Sequence, residues 1–489
     1  MFSKNSKVNW ITFTQLIDQL GNLLPKCNLT IDSRQVRPGG IFCAYPGTAT
    51  DGRQFIPAAT QAGAGFILWE AGIDFNYSIP NQEVANLIAY VGLIAAEKYA
   101  NPSSRVKVIG VTGTNGKTSV THWLNQAYSQ VGQKTAIIGT TGAGLYPAVT
   151  DYAATTPDPI TLQRLLAEFV VASVKVVAME VSSHAVHQGR VNGTNFATAI
   201  FTNLTQDHLD YHLTLENYYQ TKRELFYWQG LKQAVINSDD TYGSRLHQEI
   251  LEDKLPVKII SYGIISGDLR ASEIKINLSG MSFVLSYLNN SCLVVVKVVG
   301  KFNIYNLLAV AGAMLLDGYT LDQIATVLSH LTPVCGRMDT IILPQKPLIL
   351  IDYAHTPDAL RNALSTLREI EHRGKLWCVF GCGGNRDKSK RAIMGKIATS
   401  LADWSIVTSD NPRDELPGAI IKDIVHGIST PNYQVIEDRQ MAIQTVINQA
   451  QVKDIILIAG KGHETYQEIN GIKHYFSDFD IARQVLDDR

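Results

Sequence analysis

The sequence predicts an α/β protein of three domains whose strands are mostly parallel. Three observations carry this. Short apolar runs recur along the chain, and several end in loops of Gly, Pro and polar residues, as buried parallel strands do. Helix-like patterns separate the runs, the alternation expected of sheets with crossover helices. At 489 residues the chain suits about three domains of ~150 residues each. Linker-like stretches at Asn101-Pro102-Ser103-Ser104 and Thr332-Pro333 divide it into residues 1–102, 103–333 and 334–489.

Composition narrows the class of function. Hydrophobic residues make up 45%, enough for real cores, and the net charge of −1 gives no bulk electrostatic case for nucleic acid or an acidic membrane. The start, MFSKNSKVNW, has no apolar run of the kind a secretory signal needs. No stretch approaches the ~18 apolar residues of a membrane span, and Leu293 to Val299 is broken by Lys297. Six cysteines (Cys27, Cys43, Cys292, Cys335, Cys378, Cys382) are scattered without metal-site spacing, so they read as thiols in a reducing cytosol. A cytoplasmic chain with no nucleic-acid partner and no membrane insertion is expected.

In the first domain, Asn28 to Arg34 (NLTIDSR) is a strand end and a polar turn. Gly39 to Tyr45 is a short strand, and Pro46 to Arg53 is a loop of turn formers. Phe55 to Ala64 is helix-like and Phe66 to Trp69 a strand. Ser33, Thr48 and Thr50 are ligand contacts or ordinary loop residues on this reading.

The second domain opens with KVIGVTGTNGKTS, Lys107 to Ser119. Val108 to Val111 is a buried strand, Gly113 and Gly116 punctuate a loop, and Thr118 and Ser119 open a helix. Such a unit cradles phosphate: helix N-terminal N–H groups face the anion, and glycines let the main chain approach. Lys117 would reach the terminal phosphates, and the Thr118 hydroxyl would face Mg²⁺. The strict G-x-x-x-x-G-K-[ST] pattern has glycine where this chain has Val111, with Gly110 one residue early.

Lys134 to Gly139 is the next strand, and Thr155-Thr156-Pro157 predicts a helix start. Val174 to Val181 is an apolar strand with Glu180 near its C-terminal end, either a Mg²⁺ partner or a salt-bridged acid. Ser182, Ser183, His184, Gln188 and Arg190 follow. Thr198 to Asn203 runs into LTQDHLDYH, placing His208 and Asp210 at a strand exit, where open sheets bind ligands. A helix from Leu215 to Trp228 carries Lys222, which alone reads as a solvated residue. GKFNIYN (Gly300 to Asn306) precedes a helix over Leu307 to Leu316, and Arg337 lies in GRMD past the boundary.

In the third domain, Leu348 to Asp352 is a strand running into YAHTPDAL. Trp377 to Phe380 opens into GCGGNRDKSKR, a glycine-rich turn with Arg386, Lys388, Lys390 and Arg391. Its place after a buried strand favours an anion site over a solvated charge run. Trp404 to Thr408 ends in Ser409-Asp410-Asn411-Pro412-Arg413, and Ile455 to Ala459 in Gly460-Lys461-Gly462-His463-Glu464. In a doubly wound sheet those loops gather on one edge.

Taken in order, GTNGKTS, MEVSSH, NLTQDHLDYH, KFNIYN, GRMD, DYAHTPDAL, FGCGGNRDKSKR, DNPR and GKGHE resemble the Mur ligase family over essentially the whole chain. These are ATP-dependent amide-forming ligases of peptidoglycan precursor synthesis. The resemblance implies a small N-terminal UDP-binding domain, a central P-loop ATPase-like doubly wound sheet and a C-terminal Rossmann-like amino-acid-binding domain. DNPR resembles the diaminopimelate-adding branch, whereas lysine-adding relatives differ at the position of Arg413. The physical reason is that the far carboxylate of meso-diaminopimelate suits a bidentate Arg.

The resemblance implies transfer of phosphate from ATP to the D-Glu γ-carboxylate of UDP-N-acetylmuramoyl-L-Ala-D-Glu, then attack by the diaminopimelate amine. It assigns ATP to Gly113, Thr114, Asn115, Gly116, Lys117, Thr118 and Ser119, with Asn303 on the adenine, Arg337 on phosphates and Asp352 on the ribose. It assigns Mg²⁺ to Thr118, Glu180 and His208, and to Lys222 as a CO₂-derived carbamate. The nucleotide-sugar peptide falls to Ile31, Ser33, Thr48, Ala49 and Thr50, and to Thr155, Thr156, Ser182, Gln188 and Arg190. Ala154 stands where relatives often have Asn. Diaminopimelate falls to Arg386, Asp410, Asn411, Pro412, Arg413, Gly460 and Glu464, and the enzyme is expected to act as a monomer. The competing readings are a lysine-adding member, a folylpolyglutamate synthetase, and a non-enzymatic P-loop regulator.

Overall fold

The computed structural model describes residues 8–48, 50–150, 152, 154–277, 280–370 and 374–488. Three main sheets follow one another along the chain, and a small hairpin completes them. The first sheet has four parallel strands, ending with Phe66–Trp69 and Asn81–Glu83. Its helices Trp10–Leu20 and Ile88–Lys98 bury Leu16, Leu20, Tyr90 and Ile94. Neither helix stood out in the sequence. The Asn101 linker proves to be a tight helical turn, Pro102–Ser104, with Pro102 and Ser103 buried.

The second sheet has ten strands. At its heart Lys107–Thr112 lies between Val176–Glu180 and Thr198–Phe201, all parallel and almost wholly buried. That double-sided burial explains their continuous apolar sequence. An antiparallel flank, Leu269–Asn277, Gly280–Tyr287 and Asn290–Val296, extends one edge. The third sheet has six strands, and Ile455–Ala459 pairs in parallel with both Leu348–Asp352 and Leu376–Phe380.

Three helix boundaries differ from expectation. The helix expected at Thr155 begins at Pro159, because Asp158 accepts from the N–H groups of Ile160 and Thr161 and takes the cap. The Leu307 helix begins earlier, at Lys301, with GKFNIYN forming its first turns. The Leu215 helix ends at Arg223 and tightens into a 3₁₀ turn over Glu224–Tyr227. No helix among the described residues is long and apolar enough to cross a membrane.

Candidate active site

The central strand Lys107–Thr112 delivers its C-terminal end to a loop that only glycine fits at two points. A Cβ on Gly113 would stand 1.9 Å from Thr202 Oγ1, and one on Gly116 2.4 Å from Asn306 Oδ1. Gly116 also has φ +88° and precedes the helix Lys117–Gln130, whose free N–H groups point into the loop. Lys117 Nζ donates to the carbonyls of Gly113 and Thr114 at 2.8 and 2.9 Å. Thr114 and Asn115 are tied to the neighbouring strand exit through Thr205 and Asn203.

Lys222 is not solvated: it is 1% exposed, and its Nζ donates to Gly113 O at 2.9 Å. Burial, and then the Lys117 ammonium, push its pKa well below the usual lysine range. The Tyr218 ring lies 4.5 Å from the same nitrogen. Glu180 is equally buried but makes no salt bridge among the described residues; it accepts from the Thr140 N–H and hydroxyl at 2.9 and 3.2 Å. His208 stands at a left-handed backbone position, φ 55°, beside Asp207 at 3.3 Å. Burial depresses the His208 pKa, so the ring is neutral at pH 7. Burial opposes the Asp207 carboxylate, but its basic neighbours, Lys390 among them, keep it ionised.

These groups line one cavity of about 260 Å³, and the third sheet forms its far wall. From the second sheet come Thr114 to Thr118, Thr155, Glu180, Ser182, His208 and Lys222. From the third come Arg337, Arg386, Asp410, Asn411, Arg413, Gly460 and Glu464. Pro412 does not line it. The two sheets thus meet across their C-terminal edges, the position the topology favours for a ligand. Polar contacts join the walls: Arg337 Nη2 donates to Thr118 Oγ1 at 2.9 Å, and Asn115 Nδ2 to Asp358 Oδ2 at 3.1 Å.

An adjoining cavity of about 320 Å³ shares Asn115, Gly116, Arg337 and Tyr353, and adds Ser119, Asn306 and Asp352. Burial raises the Asp352 pKa to about 6 although Arg337 opposes it. Asn303 does not line this space. It is 1% exposed, donates to Val299 O at 2.7 Å, and accepts from Asn306 Nδ2 at 3.0 Å. That bond fixes the Asn306 amide, which does line the space.

The third-sheet end of the main cavity is built on a buried cation that the motifs did not single out. Lys461, 0% exposed, donates to Asn411 Oδ1 at 2.9 Å and lies 3.3 Å from Glu464 and 3.6 Å from Asp410. Burial and the Asp410 charge raise Glu464, whereas Lys461 and Arg439 overcome burial and hold Asp410 below the usual range. Arg391, in the expected cation cluster, is buried and paired with Glu415 and Asp423. The signal for Lys461 was its place between two glycines at a buried strand's end.

The remaining candidates stand apart. Ile31 lines a separate cleft between Asn28–Arg37 and the start of the Pro159 helix. Ser33 opens the 3₁₀ turn that Asp32 caps. Thr48 and Thr50 are exposed, and Ala49 lies outside the described residues. Thr156, Gln188 and Arg190 form a chain behind the cavity wall: Arg190 donates to Gln188 Oε1 and Thr156 O, and Thr156 to Glu180 O.

A lysine-bearing glycine loop facing a second α/β domain across its strand ends has counterparts among known proteins. The Mur ligase family catalytic domain matches residues 27–110, the Mur ligase middle domain 111–314, and the Mur ligase glutamate ligase domain 336–462. The chain belongs to the Mur ligase family of ATP-dependent amide-forming ligases. Within it, the chain is 47% identical to the UDP-N-acetylmuramoyl-L-alanyl-D-glutamate–2,6-diaminopimelate ligase of Chromobacterium violaceum, over 96% of each chain. It is 48% identical to the ligase of the same name from Neisseria meningitidis serogroup B, over 93% of this chain and 94% of the relative. A solved structure with that name superposes with a TM-score of 0.69 at 36% identity, covering 94% of both chains. A Mycobacterium tuberculosis folylpolyglutamate synthase shares the fold over 75% of this chain and 91% of its own, at 16% identity and a TM-score of 0.63.

Proposed function

We propose that the chain adds meso-2,6-diaminopimelate to the D-Glu γ-carboxylate of UDP-N-acetylmuramoyl-L-Ala-D-Glu, with ATP converted to ADP and phosphate. The observation that carries this is the single cavity joining the phosphate loop, its Lys117 and the nearby Lys222 to Arg386, Asp410, Arg413 and Glu464. Relatives of that name, similar over nearly the full chain, support it.

In this reading residues 1–102 hold the UDP sugar, 103–333 hold ATP, and 334–489 hold the amino acid. The triphosphate lies along Gly113 to Ser119 and extends into the adjoining cavity beside Asp352. The γ-carboxylate oxygen attacks the terminal phosphorus, ADP leaves, and Lys117 neutralises the charge shifting onto the bridging oxygens. The diaminopimelate amine then attacks the acyl carbon, and inorganic phosphate departs. Glu464 and Asp410 orient ammonium groups while Arg386 and Arg413 take carboxylates, so much of the rate comes from positioning. The muramoyl-dipeptide end meets Thr155 and Ser182, backed by Thr156, Gln188 and Arg190.

Thr118, Glu180 and His208 line the phosphate-loop cavity, and among the described residues no cluster of three His, Cys, Asp or Glu is disposed to hold a metal alone. That donor set fits a Mg²⁺ carried in by nucleotide, because Mg²⁺ pairs few protein ligands with phosphate oxygens and water. When bound, the ion supplies charge neutralisation on the phosphates. A depressed Lys222 pKa favours the neutral amine, which adds to CO₂ and releases a proton to give a carbamate. That anion beside Lys117 relieves the repulsion between two ammonium groups and offers oxygens to a cation. A cytosolic setting, where these substrates and reduced thiols coexist, completes the reading.

The test is phosphate release from ATP with the UDP-linked dipeptide, comparing meso-diaminopimelate with L-lysine. Release with diaminopimelate alone is expected. Release with lysine alone would keep the family and overturn the amino-acid assignment.

A further inference from the structure

Arg413 is held by a segment that the catalytic motifs do not include. The hairpin of Tyr466–Ile469 and Ile472–Tyr475 turns through Asn470 and Gly471, both with φ above zero, as tight hairpin turns require. Its first strand runs beside the Asp410–Arg413 loop and fastens it repeatedly. Arg413 N donates to Glu468 O at 3.0 Å, and Asn470 N donates to Arg413 O at 2.9 Å. Glu468 N donates to Asn411 Oδ1 at 3.0 Å, and Gln467 Nε2 to Asp410 O at 2.7 Å. Those bonds stabilise the left-handed backbone of Arg413, φ 50°, an uncommon state for a residue with a Cβ.

The side chain is fixed as well. Arg413 Nε donates to Glu468 Oε2 at 3.2 Å, and Nη1 donates to Gly384 O at 2.8 Å. Among the described residues Nη2 has no partner, and Arg413 lines the cavity. A guanidinium with Nε committed to one carboxylate presents its Nη1–Nη2 end to another, the fork that takes a carboxylate through two parallel bonds. Long arginine side chains lose much rotamer freedom on binding, and a pre-set fork loses less.

We propose that Glu468 is a positioning residue for amino-acid specificity: it locks Arg413 so that the uncommitted N–H groups, those of Nη2 and the second one of Nη1, meet the distal carboxylate of diaminopimelate. This rests on the substrate assignment above. The lock also changes how lysine is rejected. With Glu468 present, Arg413 is not left unpaired when lysine binds, so discrimination comes from the two bonds gained with diaminopimelate.

The experiment measures kcat and KM for all three substrates in the wild type and in Glu468→Ala and Glu468→Gln. Wild-type enzyme without diaminopimelate-dependent turnover would defeat the substrate assignment itself, before any variant is compared. Given that turnover, Glu468→Ala raises KM for meso-diaminopimelate roughly tenfold or more, with kcat within about twofold. KM for ATP and for the UDP-linked dipeptide stays unchanged. Glu468→Gln keeps an oxygen acceptor for Nε and restores KM to within about threefold of wild type. A diaminopimelate KM unchanged in Glu468→Ala, an equal rise in the ATP KM, or a Gln variant no better than Ala overturns the proposal. Should the Ala variant fail to fold, Glu468→Asp, which withdraws the carboxylate by one methylene, carries the same expectation.

Discussion

Lys117 and Lys222, 105 positions apart in the chain, donate to the same atom: both Nζ atoms lie within 2.9 Å of the Gly113 carbonyl oxygen. Two buried ammonium groups sharing one acceptor repel each other, and burial lowers the pKa of both. The arrangement costs stability, and it sits in a loop that lines the cavity. Lys117→Met removes a buried charge while Lys222 keeps the carbonyl bonded. We expect its melting temperature to equal or exceed that of wild type, with turnover falling by at least about 10²-fold. A clear drop in melting temperature would mean that Lys117 contributes net stability.

The carbamate that the family resemblance implies at Lys222 can be tested, and a buried amine of depressed pKa suits it. A neutral amine is the form that captures CO₂, so enzyme equilibrated with ¹³C-bicarbonate should show a carbamate resonance that Lys222→Gln lacks. Activity in CO₂-depleted buffer should fall and return on adding bicarbonate. A resonance that persists in the variant would place the adduct elsewhere.

Beneath the amino-acid loops, Arg439 and Asp478 form a pair with both side chains 0% exposed, at 2.8 Å from Nε and 2.7 Å from Nη2. Arg439 opens one helix and Asp478 another, so the pair fastens the last helix under the third sheet. Asp478→Ala leaves a buried guanidinium uncompensated and should cost about 3–5 kcal/mol in denaturant unfolding. Replacing both residues by apolar ones should recover most of that loss, and a double variant as unstable as the single would refute the buried-charge explanation.

The cavity contacts predict domain motion. Arg337 to Thr118, Asn115 to Asp358 and Gln206 to Ser389 join the second and third sheets by polar bonds, beside a small apolar contact of Val299, Ile276 and Phe302 with the third domain's core. Such interfaces open readily. We expect the third domain to rotate as a rigid body, so that solution scattering of the free enzyme differs from that with an ATP analogue and the UDP-linked dipeptide. Superimposable profiles would argue against closure.

The parallel strands were legible because burial on both faces writes a continuous apolar run; Leu348–Asp352 and Ile455–Ala459 appear at their expected bounds. The antiparallel flank was not, since its strands alternate buried and exposed residues and write no continuous apolar run. Site residues on motif loops were legible in kind but not in environment. Nothing in the Leu215 helix says that Lys222 faces inward, because its burial comes from packing against the phosphate loop. Lys461 and Glu468 were missed for the same reason: each acts on a loop distant in sequence. The Asn470-Gly471 pair was a hairpin signal that would have found the strap carrying Glu468.

The acid pair at the amino-acid end sets a pH dependence with a definite sign. Burial and the Asp410 charge raise the Glu464 pKa, while Lys461 and Arg439 hold Asp410 ionised. As pH falls, Glu464 takes up its proton first; on the proposed assignment, in which it holds an ammonium group of diaminopimelate, kcat/KM for that substrate should decline on the acid side. Asp410→Asn removes the repulsion that raises Glu464. Its pKa then falls, and the acid limb moves to lower pH even as the overall rate drops. Profiles of kcat/KM against pH for the two enzymes test this. An acid limb that stays in place, or moves to higher pH, would show that Asp410 does not set the protonation of Glu464.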